Sequence, residues 1–318
     1  DGEKLTLLAT DIEIQITTRT PTIGAEKAAM TVGARKLQDI LRSLPESAQV
    51  SLALEDKRLQ LKAGKSRFNL QTLPAEDFPR MSAADGQSTR LLITQKKMKR
   101  LLGLVQYAMA QQDIRYYLNG LLLVAKGKEL RMVATDGHRL AYAAEMLDDA
   151  PAPIEVILPR KTVLELSRQL ADSDEPLEIT LTPTQARFSF GGIELVSKLI
   201  DGKFPDYERV IPQHHSKLIK LSRNTLLHSL LRAAILTNEK FRGVRLVLGA
   251  GSLKIISSNA EQEEAQEEIE VDYGGEVLDV GFNVTYLLDV LNNVGNETIE
   301  LHLADANSSA LFVLPGNE

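Results

Sequence analysis

The chain has 318 residues, 43% of them apolar, no cysteine, and a net charge of −6 from 43 acidic and 37 basic side chains. Without cysteine there is no disulfide framework, thiolate zinc site or cysteine nucleophile, which predicts a reducing, cytoplasmic setting. No apolar run is long enough to span a bilayer, and the acidic balance excludes a surface coated throughout with phosphate-binding charge, so a nucleic-acid role requires segregated charge.

The first segment, Leu5 to Thr17 (LTLLATDIEIQIT), follows a turn at Gly2-Glu3-Lys4. Residues 32–44 are predicted helical: Leu37, Ile40, Leu41 and Leu44 fall at i, i+3, i+4 and i+7 as the expected buried stripe, opposite Arg35, Gln38 and Arg42. Alternation predicts strands at 51–54, 59–62 and 67–71, before Phe78-Pro79 and a short polar joint at 85–88. A helix over 93–109 turns Met98, Leu101, Leu102 and Val105 inward and Lys96, Lys97, Lys99 and Arg100 outward.

The second segment, Leu130 to Ala143 (LRMVATDGHRLAYA), follows a turn at Gly127. Residues 158–170 again predict a helix, with Val163, Leu166 and Leu170 inward, Lys161 and Arg168 outward, and Arg160 at its start. Strands at 179–182 and 187–190 lead to Phe204-Pro205 and a second polar joint at 213–216. Arg223 and Arg232 decorate the helix after Ser222. A third, looser copy of the opening segment, Leu253 to Glu270, then precedes a helix at 282–294 that carries no basic residue.

The chain therefore repeats itself three times at intervals of roughly 125 residues, a period suited to a whole domain. The expected domains are 1–88, 89–216 and 217–318. Copies two and three open with a helix and strand, at 93–124 and 221–248, that copy one lacks, and copy three stops before a strand that copy two possesses. The natural polypeptide is thus expected to extend by about 40 N-terminal residues and a short C-terminal strand, since each compact domain completes its layers.

Basic residues recur on four helices in equivalent repeat positions, while acids collect at Glu261, Glu263, Glu264, Glu267, Glu268 and Glu270. Charge on one helix reads as a solvated face; the same sign on four suggests a common partner. No Walker loop, Rossmann glycine fingerprint, HExxH or G-x-S-x-G element is present. Asp136-Gly137-His138 has the residue types of a metal site or of a base with its orienting acid. Its counterparts, Asp11-Ile12-Glu13 and Asn259-Ala260-Glu261, share the turn without the histidine, which favours a structural or binding role. His214 and His215 lie in a joint, and His228 and His302 have no companions. The Tyr116-Tyr117 pair reads equally as a core aromatic pair or as a stacking platform on a loop.

Six strings carry a family resemblance: 112–120 (QDIRYYLNG), 134–140 (ATDGHRL), 201–207 (DGKFPDY), 238–245 (NEKFRGVR), 261–265 (EQEEA) and 281–284 (GFNV). In order and along essentially the whole chain, they closely resemble the bacterial DNA sliding clamps, beta subunits of DNA polymerase III. The resemblance implies an α+β clamp fold of three similar domains in a ring-shaped, head-to-tail homodimer, with antiparallel sheets outside and helices lining a central hole. It implies a non-catalytic processivity factor with no cofactor, metal or membrane partner, loosely held on duplex DNA without sequence preference. The implied DNA contacts are Arg35, Gln112, Arg115, Tyr116, Tyr117, Arg160, Lys161, Lys198 and Arg209. A groove for linear peptides of the replicative polymerase, clamp loader and repair proteins is implied at Leu118, Thr135, Gly137, His138, Arg139, Leu140, Pro205, Val210, Asn283, Tyr286 and Ser309. The ring joint would pair Lys65, Arg67 and Phe68 with Ile235, Leu236, Glu261, Glu263 and Glu264 of another subunit. The rival readings are a hydrolase using Asp136 and His138, and a repeat-built interaction scaffold that never encloses DNA.

Overall fold

The computed structural model describes residues 3–23, 27–82 and 86–315; Gly2 of the first turn and Asp85 of the first joint lie outside the described residues. Copy one supplies β1 (Lys4–Thr10), β2 (Ile14–Pro21), β3 (Met30–Val32), α1 (Ala34–Ser43), β4 (Val50–Glu55), β5 (Arg58–Ala63) and β6 (Ser66–Pro74). Copy two opens with β7 (Thr89–Thr94) and α2 (Gln95–Val105), then β8 (Gly120–Lys126), β9 (Glu129–Thr135), β10 (Leu140–Met146) and β11 (Ile154–Pro159). It closes with α3 (Arg160–Gln169), β12 (Pro176–Leu181), β13 (Gln185–Phe190) and β14 (Ile193–Lys198). Copy three supplies β15 (Lys217–Ser222), α4 (Arg223–Ala234), β16 (Gly243–Gly249), β17 (Ser252–Ser258) and β18 (Glu264–Glu270). After these come β19 (Leu278–Asn283), α5 (Val284–Asn293), β20 (Thr298–Leu303) and β21 (Leu311–Val313). This is the expected α+β pattern of sheets and short helices.

Helices α1, α3 and α5 each begin two residues later than their apolar periodicity suggests. A strand feeds directly into the helix each time, so its last residues stay extended and Gly33, Pro159 or Asn283 becomes the N-cap. Asn283 closes this junction with its side-chain oxygen, which accepts from Thr285 N at 2.9 Å. Thr94 and Ser222 cap α2 and α4 in the same manner.

The described residues divide into two compact units. The first comprises Asp1–Ser88 with Leu177–Lys198. Its strands run in the order β1-β2-β14-β13-β12, with Leu195 opposite Ile16, beside a second sheet ordered β3-β6-β5-β4. In the β1–β2 turn, the Thr10 hydroxyl donates to Ile14 O at 2.7 Å, and Asp11 Oδ1 accepts from the amides of Glu13 and Ile14. The expected stripe on α1 is not buried: Leu41 is 41% exposed and no residue of the helix is fully covered. Among the described residues this unit has no second helix to lie on that face, whereas α2 meets α3 and α4 meets α5 in the other unit. Periodicity decides which face is apolar; a covering element decides whether it is buried.

The second unit, Thr89–Pro176 with Leu199–Glu318, contains sheets ordered β10-β9-β8-β11, β18-β17-β16-β19 and β15-β20-β21. On α2, Met98, Leu101, Leu102 and Val105 are buried as the spacing requires, as are Val163 and Leu166 on α3. The C-terminal core joins Leu226 and Leu230 of α4 and Leu287 and Leu291 of α5 to Leu246, Leu253, Ile255 and Leu301 from the strands. A smaller cluster of Leu118, Leu122, Val133, Ile157, Phe204 and Tyr207 forms beside it, with Tyr117, Leu140 and Ile211 packed against its edge. Burying side chains of this size contributes on the order of 1.5–3 kcal/mol each, which fixes the framework around that cluster.

Candidate functional site

The β9–β10 turn of the second unit is organised by its own polar side chains. The Thr135 hydroxyl donates to Arg139 O at 2.6 Å and accepts from Gly137 N at 3.1 Å. Asp136 Oδ1 accepts from the amides of His138 at 2.9 Å and Arg139 at 3.0 Å. Gly137 sits at φ +88°, a left-handed conformation that residues with a Cβ adopt at a cost. The Asp136 carboxylate is thus engaged in shaping the turn, and its Oδ2 pairs with Arg139 Nε at 3.1 Å.

Arg139 then reaches out of its own element. Nη1 donates to Asp289 of α5 at 2.5 Å and Nη2 to the Tyr107 carbonyl at 2.8 Å, while the Tyr286 ring lies 4.6 Å from the guanidinium carbon. The His138 ring stacks on Tyr286 with centroids 6.4 Å apart. One arginine therefore ties the turn to α5 and to the end of α2, and a planar five-donor fork suits this multiple attachment better than an ammonium would. Burial pushes the neighbouring Tyr107 hydroxyl up to about 12, with Arg139 pulling the other way. Tyr107 and Asp289 were not singled out in the sequence. Asp289 had a readable signal, as the sole charged residue of α5.

Beneath this assembly lies the small apolar cluster. Leu118 is only 2% exposed and belongs to its interior, whereas Leu140 is half-buried at its edge. Pro205 and Val210 stand on the chain segment that supplies Phe204 and Tyr207, and Val210 is 56% exposed. Arg131 holds that segment against β9, donating to Tyr207 Oη at 3.2 Å and Glu208 Oε1 at 2.8 Å. Asn283 serves as the α5 cap, and Ser309 is exposed between β20 and β21. The geometry joins Thr135, Gly137, His138, Arg139 and Tyr286 to one another, and Leu118 and Leu140 to the cluster; among the described residues Ser309 makes no hydrogen bond to either group.

The connection from α2 to β8 carries the implied DNA residues of this unit. Asn119 closes it from within: its Oδ1 accepts from Asp113 N at 2.9 Å and its Nδ2 donates to Asp113 O at 2.8 Å. Gln112 takes a left-handed φ of +57°. Tyr116 and Tyr117 open a single 3-10 turn, Tyr116–Leu118, and meet edge to face at 5.8 Å. Tyr116 is 57% exposed and Tyr117 half-buried, so the first offers more of its ring to solvent. Arg115 is held down: Nε and Nη2 grip Asp113 at 3.0 and 2.7 Å, and Nη2 also donates to Asp136 O at 3.2 Å. These hydrogen bonds hold the Asp113 carboxyl at about 2.

Other basic candidates are placed unit by unit. In the second unit, Arg160 and Lys161 open α3, with Arg160 Nη1 3.4 Å from Met109 O, and exposed Arg209 pairs with Asp206 at 2.8 Å. Lys97 and Arg100 of α2 flank Glu145, and Arg232 of α4 grips Glu267, so part of the helix charge is locally balanced. In the first unit, Arg35 is exposed on α1 and Lys198 ends β14. Lys65, Arg67 and half-buried Phe68 surround the β5–β6 hairpin. In the second unit, Ile235 is 77% exposed just after α4, and Glu261, Glu263 and Glu264 lie at the β17–β18 turn. No group of three or more potential metal-binding side chains occurs among the described residues, and no described helix is long and apolar enough to cross a membrane.

Three family models match in sequence: the DNA polymerase III beta subunit N-terminal domain at 1–82, central domain at 92–206 and C-terminal domain at 208–318. The chain is 48% identical over 324 residues to the beta sliding clamp of Pseudomonas putida strain KT2440, covering 100% of itself and 87% of that relative. It is 45% identical over 307 residues to the beta sliding clamp of Escherichia coli K12, covering 96% and 83% respectively. In structure it matches the DNA polymerase III subunit beta of Pseudomonas aeruginosa with a TM-score of 0.96 at 46% identity, over 100% of this chain and 87% of that one.

Proposed function

Because the chain belongs to the family of bacterial DNA sliding clamps, the beta subunits of DNA polymerase III, we propose that it closes around duplex DNA as a head-to-tail homodimer and tethers the replicative polymerase through the groove at Arg139. It is a processivity factor, a non-catalytic subunit whose contribution is to keep a polymerase on its template. The proposed domains are 1–88, 89–216 and 217–318. Loose contacts from Arg35, Gln112, Arg115, Tyr116, Tyr117, Arg160, Lys161, Lys198 and Arg209 to the phosphate backbone suit a sliding part, because they position without reading sequence and weaken with salt.

One observation carries the tether reading: His138, Arg139 and Tyr286 converge beside an apolar cluster edged by Leu140, which is how a pocket for an apolar peptide anchor is built. The clamp loader and repair proteins would use the same groove. At the ring joint, Lys65, Arg67 and Phe68 would face the acids Glu261, Glu263 and Glu264 and the apolar pair Ile235 and Leu236 of a second subunit, and opposite charge favours head-to-tail closure.

Enclosure makes a topological prediction that affinity does not. Protein placed on nicked circular plasmid by a clamp loader should co-elute with the circle in high salt and be released when a restriction enzyme linearises it. Equal retention on circle and linear DNA, or no retention on the circle, would refute enclosure and leave an interaction scaffold.

A further inference from the structure

The Arg115 guanidinium stands where the two proposed sites meet. It originates on the α2–β8 connection beside Tyr116, yet its Nη2 donates to the Asp136 carbonyl of the groove turn. Its Nη1 is so close above Gly137 that a Cβ at this residue would lie 2.8 Å away. Glycine at 137 thus serves the backbone angle and also leaves room for Arg115. In the docked fork Asp113 takes Nε and Nη2, and Asp136 O takes Nη2 as well, so each bidentate edge has at least one nitrogen committed.

We infer that Arg115 is a positioning residue shared by both sites, for which a DNA phosphate and the groove turn compete. The reading rests on the proposed function, because it requires that duplex and peptide bind where that function places them. Asp113 holds the Nε–Nη2 edge and Asp136 O shares Nη2, so a phosphate that binds bidentately through either edge of the fork must displace one of these two acceptors. On moving to a phosphate it leaves Asp136 O without its donor and vacates the space above Gly137. The turn that aims His138 and Arg139 at Tyr286 and Asp289 then loses a support. Duplex and peptide should therefore oppose one another, and coupling of this kind is reciprocal. The benefit to a sliding ring is direct: an occupied groove keeps Arg115 docked and off the backbone, which lowers drag while a client is bound.

Fluorescence polarisation of a labelled peptide from a replicative polymerase, with and without a saturating short linear duplex at low salt, tests this. For the wild type, duplex should weaken peptide binding about fivefold, the low end of typical coupling. Arg115→Lys retains the charge and loses the fork, so its peptide affinity should be the same with and without duplex. Asp113→Asn loosens docking, so its peptide affinity without duplex should move toward the duplex-bound value of the wild type. Wild-type protein that binds both ligands independently overturns the inference, as does an undiminished duplex effect in Arg115→Lys. Failure of the wild type to bind either ligand overturns the proposed function and this inference with it.

Discussion

The β1–β2 turn of the first unit and the β9–β10 turn of the second share a backbone frame. Thr10 and Thr135 each donate to the carbonyl four residues on, at 2.7 and 2.6 Å, and Asp11 and Asp136 each accept from the amides two and three residues on. The third position is left-handed in both, at Ile12 (φ +79°) and Gly137 (φ +88°). They part in what the frame presents. The fifth residue is Ile14 in one, 7% exposed, and Arg139 in the other, tied to Asp289 and Tyr107. The polar frame is thus repeated architecture and carries no function of its own. Under the proposed function, what separates the two turns is the residues the frame holds at the third and fifth positions.

The largest effect should come from exchanging what the fifth position does. Arg139→Ala removes hydrogen bonds to three partners and strands Asp289, so it should cost about 2–4 kcal/mol and abolish peptide binding. Ile14→Ala should destabilise by a similar amount, about 2–4 kcal/mol, through lost packing, and leave peptide affinity unchanged. Urea unfolding and peptide polarisation on both variants separate the cases; peptide binding lost equally in both would dissolve the distinction.

A smaller and opposite-signed pair tests the third position. Gly137→Ala adds left-handed strain and collides with Arg115, for an expected loss of about 1–2 kcal/mol. Ile12→Gly relieves the same strain at an exposed site and should raise stability by about 0.5 kcal/mol. Shifts of equal sign in the unfolding midpoint would show that the frames are not equivalent.

The smallest effect is confined to alkaline solution and to the Arg139 side. Tyr107, raised by burial from 10.0 to about 12, keeps its proton longer folded than unfolded. Its contribution is complete below 10 and is lost as pH rises through about 12. Burial and Glu129 raise Tyr142 as well, so tyrosinate absorbance should show more than one late-ionising group among the seven tyrosines, with the one near 12 absent in Tyr107→Phe. A single transition near the ordinary value in both proteins would remove Tyr107 from the picture.

How much was legible follows from distance along the chain. The turns at Asp11 and Asp136 were readable because every hydrogen bond closes within five residues. The buried faces of α2 and α3 were readable because helical spacing alone selects them. The Arg139–Asp289 tie was not, since its partners lie 150 residues apart and the lone charge on α5 does not say which residue it pairs with. Arg115 was expected to meet phosphate; its pairing with Asp113 closes within two residues, but its bond to Asp136 O depends on how two connections meet in space, which no local pattern encodes. On α1 the stripe was correct and the burial was not, because coverage is a property of the neighbour.

The pairing of β2 with β14 sets the timetable of synthesis. Leu195 cannot reach Ile16 until copy two is almost wholly translated, so β2 leaves the ribosome with an open edge and waits for a distant partner. Vectorial emergence and structural completion therefore run in different orders: the β8–β11 sheet has all its strands before the sheet begun by β1 and β2 does. During that interval the unpaired edge of β2 is exposed to misassembly, a burden set by the long-range pairing itself.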